Sequence, residues 1–173
     1  MKGLKLHPHL KEATFISRLT RFTALMRHDG QEVTVHVANS GRLQELLRPE
    51  YTMYLAPAPS GSLRKTAYTL ALVEIDGVLV STDARLPNAL LREAIETGTV
   101  PEFAGYRSIA QEVTFGESRL DLVLSGIQGQ CYVEVKSVTL VESEVGLYPA
   151  APTERGRKHV RSLGEVIRHG HRA

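Results

Sequence analysis

The sequence predicts a mixed α/β (α+β) chain in two parts, a small β-barrel followed by an α/β core. Three observations carry this. Alternating apolar and polar runs, twice joined by an Asp-Gly dipeptide, crowd residues 13–81. From Leu86 the pattern changes to helix, three strands and helix. In the last of those strands, Tyr132-Val133-Glu134-Val135-Lys136-Ser137 sets a carboxylate and an ammonium on one face, because side chains alternate with a period of two.

The first part opens with Thr14-Phe15-Ile16-Ser17-Arg18, then Phe22 to Arg27, the Asp29-Gly30 turn and Val33-Thr34-Val35-His36-Val37. Asp-Gly between apolar runs is a hairpin signal. Asn39-Ser40-Gly41-Arg42 leads into a short helical patch with Leu43, Leu46 and Leu47. A strand at 51–55, the loop Pro57-Ala58-Pro59-Ser60-Gly61-Ser62, a strand at 69–75, an Asp76-Gly77 turn and a strand at 78–81 follow. Five or so short strands with one small helix suit a barrel of the OB type over residues 1–84.

The second part, residues 85–173, begins with a helix from Asn88 to Glu96 that carries Leu90, Leu91 and Ile95 and is closed by Gly98. Strands are expected at 109–115, 119–124 and 132–138, and an irregular stretch at 142–152. Thr153 then serves as N-cap of a helix with Val160, Leu163 and Ile167 on one face. This is the skeleton of a nuclease-like α/β core.

Composition sets the bounds. Of the 173 residues, 42% are apolar, enough for a packed core. No run is long enough to span a bilayer. The N-terminus lacks the apolar segment of a signal peptide, and the single cysteine, Cys131, excludes an intramolecular disulfide and a Cys-based zinc site. A cytoplasmic, membrane-free setting is the expectation. The net charge of +2 is unevenly spread: residues 1–29 hold six Lys and Arg against Glu12 and Asp29, and residues 153–173 another six against Glu154 and Glu165. Basic ends around an acidic centre suit phosphate-binding surfaces about a carboxylate site. Solvated termini would look the same.

The candidate chemistry centres on Asp121, which alternates with Leu120 and Leu122, and on Glu134. Together they can share a hard cation, Mg²⁺ or Mn²⁺, with Glu93 on the preceding helix as an outer carboxylate. Lys136, on the face of Glu134, can stabilise a charged transition state. A charged strand face with a surface ion pair is the plainer alternative, since Glu-x-Lys alone is common. On the last helix Arg155, Lys158, His159 and Ser162 fall at spacings of three and four, flanked by Arg157, Arg161 and Arg168. Such a face can grip a nucleic-acid backbone through phosphates. His159 is open as general acid, phosphate ligand or bystander. Gly156 in the first turn suggests that something approaches the backbone there. Arg42, Arg64 and Lys65 are further phosphate-contact candidates. The aromatics Phe15, Phe22, Tyr51, Tyr54 and Tyr68 could stack on bases, although several suit the core better.

These residues also carry a resemblance. The run Tyr132 to Leu140, then Thr153-Glu154-Arg155-Gly156-Arg157-Lys158-His159, closely resembles the sugar fermentation stimulation protein A family. Asn39 to Arg42, Arg64-Lys65-Thr66, Tyr68-Thr69-Leu70, Asn88 to Ile95 and Ser118 to Asp121 match it in the same order. The resemblance implies an N-terminal OB-like domain and a C-terminal domain similar to PD-(D/E)xK nucleases. It implies DNA binding with little sequence preference and a link to the regulation of sugar (maltose) metabolism. By that motif Asp121, Glu134 and Lys136 occupy catalytic-type positions and Glu93 is the helix carboxylate. Two departures stand out. Ala150 follows Pro149 where the family usually has an aspartate, which favours binding over efficient cutting. The chain also stops at His171-Arg172-Ala173 where the family continues, as expected of a fragment. The leading expectation is therefore a DNA-binding protein; a metal-dependent nuclease and a non-catalytic interaction module are the alternatives, with a homo-oligomer left open.

Overall fold

The structure, a computed structural model, describes residues 6–59, 61–148 and 153–173. They fall into two compact units: residues 6–86 with 137–148, and residues 87–136 with 153–173.

The first unit is built on β1 (Lys11–Thr20), β2 (Thr23–His28), β3 (Gln31–Val37), β4 (Thr52–Pro57), β5 (Tyr68–Ile75) and β6 (Val78–Ser81). The strand order is β3-β2-β1-β4-β5-β6, and a parallel β3–β5 pairing closes the sheet into a barrel. β1 serves two neighbours: Lys11–Thr14 pairs with β4, and Thr14–Thr20 with β2. Register shifts after Phe15 and Arg18 give β1 the bends that this requires. This is the OB barrel expected from the alternating runs, with β6 added at its edge. Asp29 and Gly30 turn the β2–β3 hairpin with φ of 48° and 76°, a conformation only glycine adopts without strain and aspartate tolerates.

Alternation puts Ala24 and Met26 of β2, Val35 and Val37 of β3 and Met53 and Leu55 of β4 inside the barrel, and the register shift opposite Tyr54 and Leu55 lets both Leu70 and Val73 of β5 join them. The patch at Leu43 to Leu47 is a single turn rather than a helix. The Leu47 N–H reaches the Leu43 carbonyl at 2.8 Å, and Leu43, Leu46 and Leu47 plug the barrel.

The stretch expected to be irregular contains a hairpin, β10 (Leu140–Glu142) and β11 (Val145–Leu147). It belongs to the first unit, where Thr139 Oγ1 donates to Glu45 Oε1 at 2.6 Å. Its turn, Ser143-Glu144, has positive φ at both positions without a glycine, so the usual hairpin signal is missing from the sequence. Pro149 and Ala150, where the family aspartate is replaced, lie outside the described residues.

The second unit holds α1 (Leu86–Glu96), the antiparallel meander β7 (Tyr106–Phe115), β8 (Ser118–Gly126) and β9 (Gly129–Val133), and α2 (Glu154–Arg168). Leu120, Val123, Tyr132 and Val166 form its small core. The face of α2 that packs inward is not the expected one. Val160 and Ile167 are 71% and 60% exposed, whereas His159, Ser162 and Val166 are buried and Leu163 is half-buried. The helix is rotated because two polar side chains find partners below it: Ser162 Oγ donates to Ser118 Oγ at 2.7 Å, and His159 meets Glu134. No helix among the described residues is long and apolar enough to cross a membrane.

Leu70 is fully buried on the strand that pairs with both β3 and β4. Leu70→Ala is expected to lower the unfolding free energy by about 2–5 kcal/mol, read as a shift of the urea midpoint at unchanged slope.

Candidate functional site

The site is assembled where β9 leaves its ladder. Leu122 of β8 faces Val133 of β9, the last paired residue, so Asp121 stands just past the end of the pairing. Its carboxylate takes over from the backbone: the Val135 N–H donates to Oδ2 at 2.7 Å, and Asn88 Nδ2 donates to Oδ1 at 2.9 Å. A side chain thus claims the N–H that a neighbouring strand would otherwise bind. For that reason the strand expected through residue 138 ends at Val133, and Glu134 to Val138 follow as irregular chain.

Glu134 and Lys136 nevertheless meet, although no ladder holds their segment. Lys136 Nζ donates to Glu134 Oε1 and also to the Val135 carbonyl at 3.3 Å. The Glu134 side chain is only 8% exposed, and the same Oε1 accepts from Nδ1 of the buried His159. That choice leaves His159 Nε2 as acceptor for Arg155 Nε, at a long 3.4 Å. Glu134 Oε2 is buried and has no hydrogen-bond partner among the described residues. A buried carboxylate oxygen without a donor is costly unless something else meets it.

The α2 scaffold that delivers His159 begins where expected. Thr153 is the N-cap, its hydroxyl accepting from the Gly156 N–H at 3.0 Å. A side chain at Gly156 would put its Cβ 3.1 Å from that hydroxyl, so what approaches the backbone there is the cap itself. Arg155, Arg157, Lys158 and Arg161 are exposed on this helix. Lys158 lies 3.5 Å from Glu117 and Arg161 4.0 Å from Glu154, surface pairs that contribute little; Arg157 has no acidic partner among the described residues.

The remaining sequence candidates separate from this cluster. Glu93 is on α1, five residues after Asn88, which turns it about 140° away from the side chain that holds Asp121. It makes no side-chain hydrogen bond or ion pair among the described residues, and no group of three His, Cys, Asp or Glu side chains gathers there to hold a metal. Arg42, Arg64 and Lys65 belong to the barrel unit. There Arg64 donates to Thr69 Oγ1 at 3.1 Å and to Ser62 Oγ at 3.3 Å, while Arg42 and Lys65 are exposed. Asn88 is the residue that sequence reasoning passed over. Its only local signal is a polar side chain in the first turn of a helix, right after Pro87.

A closed barrel with a parallel β3–β5 seam, joined in sequence to a three-stranded meander ending in two carboxylates and a lysine, defines a two-unit α/β protein with an OB module. The comparisons with known proteins agree. A family model described as the SfsA N-terminal OB domain matches residues 16–82, and one described as the sugar fermentation stimulation protein RE domain matches residues 85–173. The chain belongs to the sugar fermentation stimulation protein (SfsA) family. A sugar fermentation stimulation protein homolog of Desulforamulus reducens is 41% identical, the match covering 100% of this chain and 75% of that protein. One of Moorella thermoacetica is 46% identical, over 98% and 74%. The solved structure of Pyrococcus furiosus SfsA in complex with Ca²⁺ superimposes with a TM-score of 0.87 at 35% identity, covering 100% of this chain and 73% of that one.

Asn88→Ala removes one of the two donors that hold Asp121. It is expected to cost about 1.5 kcal/mol of unfolding free energy in urea denaturation. Thr153→Ala, which uncaps α2, is expected to cost about 1 kcal/mol in the same measurement.

Proposed function

We propose that this protein binds DNA through its phosphate backbone, with little sequence preference, and that the Asp121–Glu134–Lys136 site engages one phosphodiester with the help of a divalent cation. The observation that carries this reading is Glu134: its carboxylate is almost buried, one oxygen has no donor among the described residues, and it lies beneath the helix that displays Arg155, Arg157 and Lys158. Lys136 and His159 hold the other oxygen, so the free one keeps a fixed direction. The basic side chains of α2 supply charge for phosphates, where Arg and Lys bind without reading bases.

The donor set fits a hard cation. Asp121 and Glu134 provide two carboxylates, and Mg²⁺ is commonly held by one or two carboxylates with water completing its shell. A cation bound there would draw charge from a phosphodiester oxygen. The residues do the rest: Asn88 and the Val135 N–H orient Asp121, His159 orients Glu134, and Lys136 places a positive charge at the rim. The Pyrococcus furiosus protein was solved in complex with Ca²⁺, which supports a divalent ion in this family fold; for this chain Mg²⁺ or Mn²⁺ is the proposed ion. The name shared by the relatives, sugar fermentation stimulation protein homolog, supports sugar fermentation as the physiological context, and regulation of sugar (maltose) metabolism is the proposed form of that role.

Cleavage is the second reading, favoured by the same unpartnered oxygen, since a PD-(D/E)xK-type nuclease needs two carboxylates and a lysine around its cation. One gel tests both. Supercoiled plasmid is incubated with wild type and Glu134→Ala, each with EDTA or Mn²⁺. Retarded, intact plasmid that is released as salt rises is the outcome expected for binding. Nicking that needs Mn²⁺ and disappears in Glu134→Ala and Lys136→Ala would assign a nuclease. Arg157→Ala is expected to reduce the slope of log affinity against log salt by about 0.9, one phosphate contact, on any duplex sequence.

A further inference from the structure

The barrel unit holds a second concentration of positive charge, far in sequence from the carboxylate site. In an OB barrel the β1–β2 and β4–β5 loops flank the ligand face formed by strands two and three. Here the β1–β2 turn is Arg21-Phe22, and the β4–β5 loop carries Arg64 and Lys65. His36 lies between them. Val35 and Val37 point into the core, so His36 points outward, and the registers place Thr23 of β2 and Thr69 of β5 on either side of it. Arg64 donates to that same Thr69.

Of the barrel aromatics Phe15, Phe22, Tyr51, Tyr54 and Tyr68, only Phe22 neither packs against the core nor makes a side-chain hydrogen bond among the described residues. Phe15, Tyr51 and Tyr68 pack against the core, and Tyr54 is tied to Glu74 through its hydroxyl at 2.6 Å. Phe22 is 48% exposed at the tip of its turn. The turn is nonetheless firmly held. Arg18 donates from Nε to the Thr20 carbonyl at 2.9 Å and from Nη2 to the carbonyls of Arg21 and, at 2.9 Å, of Asn39. This positive charge beneath the turn has carbonyls for partners and no carboxylate among the described residues. The Phe22 carbonyl also receives the Val37 N–H at 2.9 Å. A rigid, exposed ring beside uncompensated cations is the arrangement that stacks a base while holding its phosphate.

We propose that the barrel unit binds single-stranded DNA across the face that carries Phe22, His36 and Arg64, the Phe22 ring stacking on a base and Arg64 contacting a phosphate of the same strand. The inference rests on the DNA reading above and adds the strandedness and the residues. Charge complementarity selects the occupant: among the described residues Arg21, Arg42, Arg64 and Lys65 have no acidic partner, while Arg85 is neutralised by Asp83 at 2.7 Å. Burial, Arg64 and Arg85 keep the His36 imidazole below its ordinary value, against the Phe22 carbonyl and Asp83. With Arg85 paired to Asp83, Arg64 is the charge facing His36 that a phosphate can meet. A duplex cannot use the ring in this way, because its bases are already stacked on each other.

The chain has no tryptophan, so Phe22→Trp introduces a single indole at the proposed stacking position, which can be excited selectively over the tyrosines. Titration with an oligothymidine of roughly 20 nucleotides, longer than the stretch one OB barrel covers, is expected to quench its emission. By anisotropy with the labelled oligonucleotide, Phe22→Ala is expected to weaken binding roughly tenfold while leaving the salt slope unchanged. Arg64→Ala is expected to reduce that slope by about 0.7, the value for one phosphate of a single strand. Circular dichroism melting confirms that each variant is folded. Unquenched emission from the Phe22→Trp variant, or full affinity in Phe22→Ala, while wild type still binds DNA would overturn this subsite and leave the reading of the α2 site standing. Failure of wild type to bind either single strands or duplex would overturn both.

Discussion

A carboxylate taken out of water has to be met by charge or by hydrogen bonds, and the second unit is arranged around meeting Glu134. Lys136 comes from the same segment, two residues on, at no topological cost. His159 has to be brought by α2, and that requirement sets which face of the helix turns inward. Ser162 and Val166, one and two turns further along, then become the buried stripe, with Ser118 and the β8–β9 core beneath them. Leaving one partner out would strand a buried charge, a far larger penalty than exposing the apolar side chains of Val160 and Ile167. Even with both partners present, Oε2 has none among the described residues. A site that keeps one oxygen free at the edge of a sheet is structurally expensive, and such expense tends to accompany function.

The barrel solves a different problem. Its closure depends on the short parallel contact between β3 and β5, three residue pairs from Val35–Tyr68 to Val37–Leu70. That seam brings His36 next to Thr69, and with them the β1–β2 turn and the loop bearing Arg64. Arg18 then fastens the turn from below through carbonyl oxygens. The two units thus concentrate positive charge in different ways: along one face of a helix in the second, and by convergence of loops at a barrel seam in the first.

Much of the fold was legible in the chain. The Asp-Gly turns and the flanking alternation marked the barrel strands, and Thr153 marked the start of α2. Glu134 and Lys136 were readable as a pair because a two-residue spacing survives even where the regular ladder stops. The inward face of α2 was not legible. Counting apolar residues selects Val160, Leu163 and Ile167, but partners from other strands outweigh that count. The β10–β11 hairpin was hidden because its turn uses Ser143 and Glu144, which carry no turn signature. Asn88 was hidden because its importance lies entirely in Asp121, 33 residues away.

What the sequence determined by itself is whatever depends on neighbours a few residues apart: strand faces, turns, the helix cap, and the charges of the segments that bear them. What the tertiary structure decided is which of those charges meet. Asp121 ends β9 by taking the Val135 N–H, His159 is buried while its neighbours Lys158 and Val160 stay outside, and Phe22 is exposed while the other candidate aromatics of the barrel are used for packing or hydrogen bonding. Each outcome is a competition between distant groups for burial and for hydrogen-bond partners. Local periodicity carries no record of that competition, because the competitors come together only when the sheet and the barrel close.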